Sequence, residues 1–348
     1  MKKFAIFLST LLLTALLAGC AGTPVVYYTE CDCPGQTQSG TQEKPVVEGE
    51  VRTGLAIVGT VADSKDGEVS YDVTVAAVSV DADGVILSCI LDSVGAKVAF
   101  DANGQITTDV TAPVATKNEL GDSYGMKAYG GAKYEWYEQA AALADFSVGK
   151  TVDELKNGAV DQTGKAPQGS DLASTATIYL GGYVSAIEKA AANAAALGGK
   201  GTDELKLAVN SSLGSSVSAT ADKAGTAQLD VDVAVVTADG DTITGCYLDS
   251  LQAKVGFGAD GKLTGDVTAP LQTKNELGEA YGMKAWGGAK YEWNEQAANF
   301  AAYVTGKTAA QVAGIAVTET TAPAEADLAS GVTIAIGGFQ ALIAKAMQ

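Results

Sequence analysis

Residues 124–136 read Tyr-Gly-Met-Lys-Ala-Tyr-Gly-Gly-Ala-Lys-Tyr-Glu-Trp, and residues 281–293 read Tyr-Gly-Met-Lys-Ala-Trp-Gly-Gly-Ala-Lys-Tyr-Glu-Trp. The block returns 157 residues later, and so does what precedes it. Thr116-Lys-Asn-Glu-Leu-Gly121 recurs at 273–278, Thr111-Ala-Pro113 at 268–270, and Cys89-x-Leu-Asp-Ser at 246–250. A period this long marks a duplicated domain, not a solenoid of repeats about 20–50 residues long. The copies are placed at 52–199 and 200–348.

Each copy opens as sheet. Leu229, Val231, Val233 and Val235 alternate with Asp230, Asp232 and Ala234, the period of a strand with one wet face. Asp239-Gly240 and Asp260-Gly261 read as hairpin turns, matched by Asp83-Gly84 and Asn103-Gly104 in the first copy. A meander of three or four antiparallel strands is expected. Helical patterns follow at 134–143, at 152–155 and in an Ala-rich stretch ending near Leu197. Strands first and helices second argue an α+β fold. Cys89 and Cys246 fall within the apolar strands and read as small core residues.

The chain has 348 residues, 41 acidic against 23 basic side chains, and no histidine. That excludes Ser-His-Asp and Cys-His catalysis and HExxH zinc sites. A net charge of −18 argues against nucleic acid, which is bound through Lys and Arg. No catalytic side chain and no metal centre is expected. Any redox chemistry must come from a bound cofactor.

Residues 1–19 read as an export signal: Lys2 and Lys3, then an apolar run from Phe4 to Leu17, then small residues. Leu17-Ala-Gly-Cys20 resembles the lipobox of bacterial lipoproteins, which implies acylation of Cys20 and anchorage on the extracytoplasmic face of the cell membrane. Residues 20–51 read as a polar tether with a reach of roughly 30 Å as a flexible coil. Cys31 and Cys33 lie in it; two thiols without a third ligand are weak grounds for a metal, and a disulfide to another chain or free thiols fit better.

Near the end of each copy stands a third repeated element. Copy one has Asp171-Leu-Ala-Ser174-Thr-Ala-Thr177 and copy two Asp327-Leu-Ala-Ser330-Gly-Val-Thr333. Local propensity alone reads this as a helix start with Asp as N-cap. The threonine is not required by that reading, since β-branching mildly disfavours helix. An anion resting on the helix start is the functional alternative.

Asp-x-x-Ser-x-(Ala/Val)-Thr resembles the flavinylation motif of the FMN-binding domain family, known from the C subunit of sodium-pumping NADH:quinone reductase. The resemblance implies that a Mg-dependent flavin transferase esterifies Thr177 and Thr333 with FMN phosphate, up to two groups per chain. Asp171, Ser174, Asp327 and Ser330 would be the flanking motif positions. Copy one departs at Thr175, where the family has Gly, and copy two at Val332, where it has Ala. The repeated block supplies the expected flavin-facing loop: Glu119, Tyr124, Met126 and Lys127, and Glu276, Tyr281, Met283 and Lys284. Its glycines would let backbone N–H groups approach the ring, and its lysines would stabilise charge on reduced flavin.

Signal, lipobox, tether and two such domains together resemble the PplA-type flavinylated lipoproteins of extracellular electron transfer. That implies an electron carrier rather than a conventional enzyme. It would draw on a membrane quinol or NADH dehydrogenase system and deliver to ferric iron or soluble flavin. A duplicated solute-binding or surface-adhesion lipoprotein is the alternative, and it has no use for the two threonine hydroxyls.

Overall fold

The computed structural model describes residues 50–348, which belong to one compact unit. The expected signal, Cys20, Cys31, Cys33 and nearly all of the tether lie outside the described residues. Copy one begins with β1 (Arg52–Thr60), β2 (Glu68–Val80) and β3 (Ile86–Ala99), paired antiparallel in that order. The helices α1 (Lys117–Leu120), α2 (Met126–Gly130), α3 (Trp136–Ser147), α4 (Val152–Ala159), α5 (Asp171–Thr175) and α6 (Gly181–Ala192) follow. Copy two repeats the order with β4 (Glu204–Ser212), β5 (Gly225–Asp239) and β6 (Thr242–Phe257). Its helices are α7 (Lys274–Leu277), α8 (Met283–Gly287), α9 (Trp293–Val304), α10 (Ala309–Ala313), α11 (Ala326–Ala329) and α12 (Gly337–Ala346). The fold is α+β: two antiparallel three-stranded sheets, each followed by helices.

Three expectations need correction. Strand β5 has a wet face only in its first half. Asp230 and Asp232 are half-buried, but from Val233 to Ala238 the strand is buried on both faces, because Ala234 and Val236 lie under the helices of copy two. The helix expected from Tyr134 begins at Trp136, since Glu135 is extended and its N–H donates to the Glu138 carboxylate at 2.7 Å. The Ala-rich helix ends at Ala192. Beyond it Ala195 exchanges two hydrogen bonds with Thr53 of β1, at 2.9 and 3.1 Å, which turns the chain toward copy two.

The two sheets pack on each other. Leu55, Val73, Val75 and Val94 of one and Val209, Val231, Val233 and Leu251 of the other form a single apolar core. Phe100 and Phe257 stack across it, 3.9 Å between centroids and 9° apart in plane. The contacts are reciprocal: Ala219 N–H donates to the Gly104 carbonyl at 2.9 Å, and Gly67 N–H to the Gly261 carbonyl at 3.0 Å. Gly104 and Gly261 both take φ of +68°, and a Cβ on either would stand 2.6 Å from a backbone oxygen of the other copy. At the rim Lys189 of α6 pairs with Glu276, and Lys345 of α12 with Glu119, each at 2.5 Å. These half-exposed pairs add about 1 kcal/mol at most; the core carries the association.

Phe257→Ala should therefore cost about 3–5 kcal/mol, as large-to-small changes in a closed core do. In urea unfolding of single-tryptophan variants, Trp136 and Trp293 should report the same shifted transition. A shift seen by Trp293 alone would show that the copies unfold independently.

Candidate functional site

Motif residues Asp171, Ser174 and Thr177 are all exposed, and so are Asp327, Ser330 and Thr333. Between them Leu172, Ala176, Leu328 and Val332 are buried. The motif thus alternates anchors with a polar edge, and Val332 takes the same inward position as Ala176. The capping expectation fails in both copies. Ser170 is the N-cap of α5, its hydroxyl accepting Ala173 N–H at 3.2 Å, and Asp171 is the first helical residue. In copy two Glu325 stands at the N-cap and Asp327 is the second residue of α11. Nor do the threonines sit at a helix start; each follows the C-cap of its short helix, in the chain leading to α6 or α12.

What holds each threonine is a buried glutamine that the sequence reading missed. Gln139 Oε1 accepts three bonds: Thr177 N–H at 2.8 Å, Thr177 Oγ1–H at 3.2 Å and Ile178 N–H at 3.1 Å. Gln296 Oε1 repeats this with Thr333 N–H at 2.7 Å, Thr333 Oγ1–H at 3.1 Å and Ile334 N–H at 3.1 Å. The other end of each amide reaches the repeated block. Nε2 donates to the carbonyl of Tyr134 or Tyr291 at 3.0 or 2.9 Å, and lies 3.8 or 3.9 Å from the sulfur of Met126 or Met283. One amide therefore joins the threonine loop to the aromatic loop. The available signal was a glutamine one turn into each repeated helix, at a position the helix period turns inward.

A buried glutamate does the same for the loop itself. Glu135 accepts the N–H groups of Met126 and Lys127 at 2.7 and 2.9 Å, and Glu292 those of Met283 and Lys284 at 2.8 and 3.0 Å. These donors, expected to face a flavin ring, are taken by the protein's own carboxylate. The expected lysines are taken too. Lys127 lies 3.3 Å from both Asp122 and Glu138, and Lys284 lies 3.3 Å from Glu295 and 3.7 Å from Glu279; these carboxylates hold both ammonium pKa values up. Glu119 and Glu276 accept the N–H groups of Thr116 and Thr273 in capping boxes, besides pairing with the lysines of the opposite copy.

The cations that meet the aromatic block are others. Lys117 Nζ stands 5.5 Å from the Tyr124 ring and 5.3 Å from that of Trp136; Lys274 stands 5.3 and 4.8 Å from Tyr281 and Trp293. Burial pulls the Lys274 pKa down, while Asp232, Asp230 and Asp249 oppose that. Two rings of the block remain open: Tyr129 is 92% and Trp286 88% exposed. Each lies over a glycine, Gly125 or Gly282, held at φ of +82° or +84°, where a Cβ would meet the ring at 2.5 or 2.3 Å.

The departure at Thr175 has a neighbour to match. In copy two Asn299 donates to the Gly331 carbonyl at 3.0 Å, and a Cβ on Gly331 would stand 3.1 Å from that amide. Copy one has Ala142 at the corresponding helix position, so the larger Thr175 goes with the smaller helix residue. The cysteine expectation holds for Cys246, which is buried; Cys89 is half-buried at the core edge, and both are free thiols.

Asp249 secures the start of α7, its carboxylate accepting Asn275 N–H at 3.1 Å and Ser250 N–H at 2.8 Å. Burial nonetheless pushes its pKa up to about 6, against the pull of those bonds and of Thr273. Unfolding returns the group to the ordinary value near 4, so its ionised form weakens the fold above pH 6. Its contribution should raise stability as pH falls from 7 through 6, levelling off near 4, by about 2–3 kcal/mol. Asp249→Asn keeps the acceptor and should lose this pH dependence, measured as the difference from wild type in urea unfolding at pH 5 and 7.5.

No family model matches the chain, and neither a curated protein nor a solved structure is similar to it.

Proposed function

We propose that the protein is a membrane-tethered electron carrier with FMN joined through its phosphate to Thr333 and to Thr177. One observation carries this reading. Both copies hold an exposed threonine hydroxyl on a buried glutamine, in the same three-bond arrangement. A hydroxyl that donates its proton to Gln139 or Gln296 turns its lone pairs outward, the orientation an incoming phosphoryl group needs. The exposed Asp and Ser of each motif offer a transferase its contacts without disturbing the core.

The residues fit such a group on two further counts. Tyr129 and Trp286 present open ring faces, which suit the planar ring of a flavin. The sulfur of Met126 or Met283 lies against the same glutamine amide as the threonine, so one side chain bridges the attachment loop and the aromatic loop. FMN, once bound, would supply reversible electron uptake; Thr177 and Thr333 would anchor it, and Gln139 and Gln296 would hold the threonine loops against the aromatic loops. Cys20 acylation and the tether would keep the carrier within reach of a membrane quinol or NADH dehydrogenase system, with ferric iron or soluble flavin as acceptors.

Co-expression with a flavin transferase should add up to two FMN phosphoesters, read by intact-protein mass spectrometry. Thr177→Ala and Thr333→Ala should remove one each. Covalent flavin on the double variant would overturn the assignment. Gln296→Leu should leave circular dichroism unchanged while lowering copy-two modification about tenfold, since the loop loses three hydrogen bonds that orient the hydroxyl. Cys20→Ser should release the folded chain from membranes, because the acyl chains provide the affinity.

A further inference from the structure

Copy two carries a groove of about 610 Å³ on the flank of α9 that faces away from the threonine loop. Asn294, Ala298, Ala301, Ala302 and Thr305 line it. At 100° per residue these fall on the side of the helix opposite Gln296 and Asn299, whose amides serve the loop. Tyr247 and Leu248 of edge strand β6 form the facing wall, and Leu197, beyond the end of α6 in copy one, contributes to it. The size suits a small organic molecule.

Three observations set its chemistry. Asn294 Oδ1 is enclosed and accepts no hydrogen bond. An enclosed acceptor without a partner is a standing cost that a donor on a ligand removes, and the soft terminal torsion of an asparagine amide lets it turn to meet one. No charged side chain lines the groove. Burial pushes the Cys246 thiol up to about 12, so that residue is neutral wall and not a nucleophile.

The copies also diverge here and not at the glutamine. Where copy two has Asn294, Ala302 and Thr305, copy one has Tyr137, Asp145 and Val148. Tyr137 reaches out to Asp122 at 3.4 Å, and burial raises the Cys89 thiol pKa, with the Asp145 charge adding to it. The smaller, uncharged set in copy two opens the space and removes the charge. Three alanines give it one flat wall.

We propose that this groove binds an uncharged planar aromatic molecule of one or two rings, which gives an O–H or N–H on its edge to Asn294. The proposal does not depend on flavin attachment.

The test uses 1-naphthol and its isostere 1-methoxynaphthalene, which lacks the donor, titrated into the full chain and followed by amide NMR shifts. We expect saturable 1-naphthol binding that moves residues 246–248 and 294–305 and leaves Thr333 in place, with 1-methoxynaphthalene about tenfold weaker. Asn294→Leu should bring the two ligands within twofold of each other, and Asn294→Asp, which keeps an acceptor, should retain the preference. Ala298→Phe should abolish binding of both while the remaining spectrum stays native. No saturable binding, equal binding by the wild type, or a preference that survives Asn294→Leu would each overturn the proposal.

Discussion

Each three-stranded sheet is apolar on both faces over much of its length, and that constraint governs the rest of the molecule. A sheet with one wet face needs helices on the other side only. Val73 and Val75 lie on one face of β2 while Ala76 and Val78 lie on the other, all inaccessible to water. Helices α3 and α6 cover the outer face, and the inner face packs into a core shared with the second copy, with Ile106, Val110 and Val114 at its margin. Duplication thus buries most of the inner face, and the Phe100–Phe257 stack sits where the two halves close.

With the sheets fixed, the loops that carry the motifs are held by polar groups buried beneath them. Gln139 lies 38 residues from Thr177 in sequence, yet its one carbonyl oxygen fixes the threonine loop and its one amino group fixes the aromatic loop. Glu135 occupies the start of α2, where free N–H groups and the helix dipole favour an anion. The anion expected at the start of the motif helices has no counterpart there; at α2 the protein's own carboxylate takes the N–H groups and sets the loop. Such groups are costly to bury without partners, and here every acceptor is used in the same way in both copies.

The copies differ where such constraints are absent. The glutamine, the glutamate and the lysine under the tryptophan keep their roles in both halves. On the far flank of α9 the side chains become smaller and lose charge, and the groove exists in copy two. Two halves with the same scaffold can in this way carry the same primary site and different secondary ones.

The duplication, the α+β order and the hairpin glycines were legible in the sequence because they rest on local pattern: repeat offset, two-residue alternation and turn residues. Alternation could not say that β5 is dry on both faces, because an alanine at 234 fits either a wet or a buried face. The two lysines and two glutamates of the repeated block looked free for a ligand; only the folded chain brings Glu138, Glu295, Lys189 and Lys345 to them. Gln139 and Gln296 did not stand out, since a polar residue announces its burial only when a distant loop supplies the donors. Sequence determined which groups the protein has and in what order. Tertiary structure decided which of them are already spent on each other, because a buried polar group such as Gln139 or Glu135 is stabilised by the partners that distant segments bring to it.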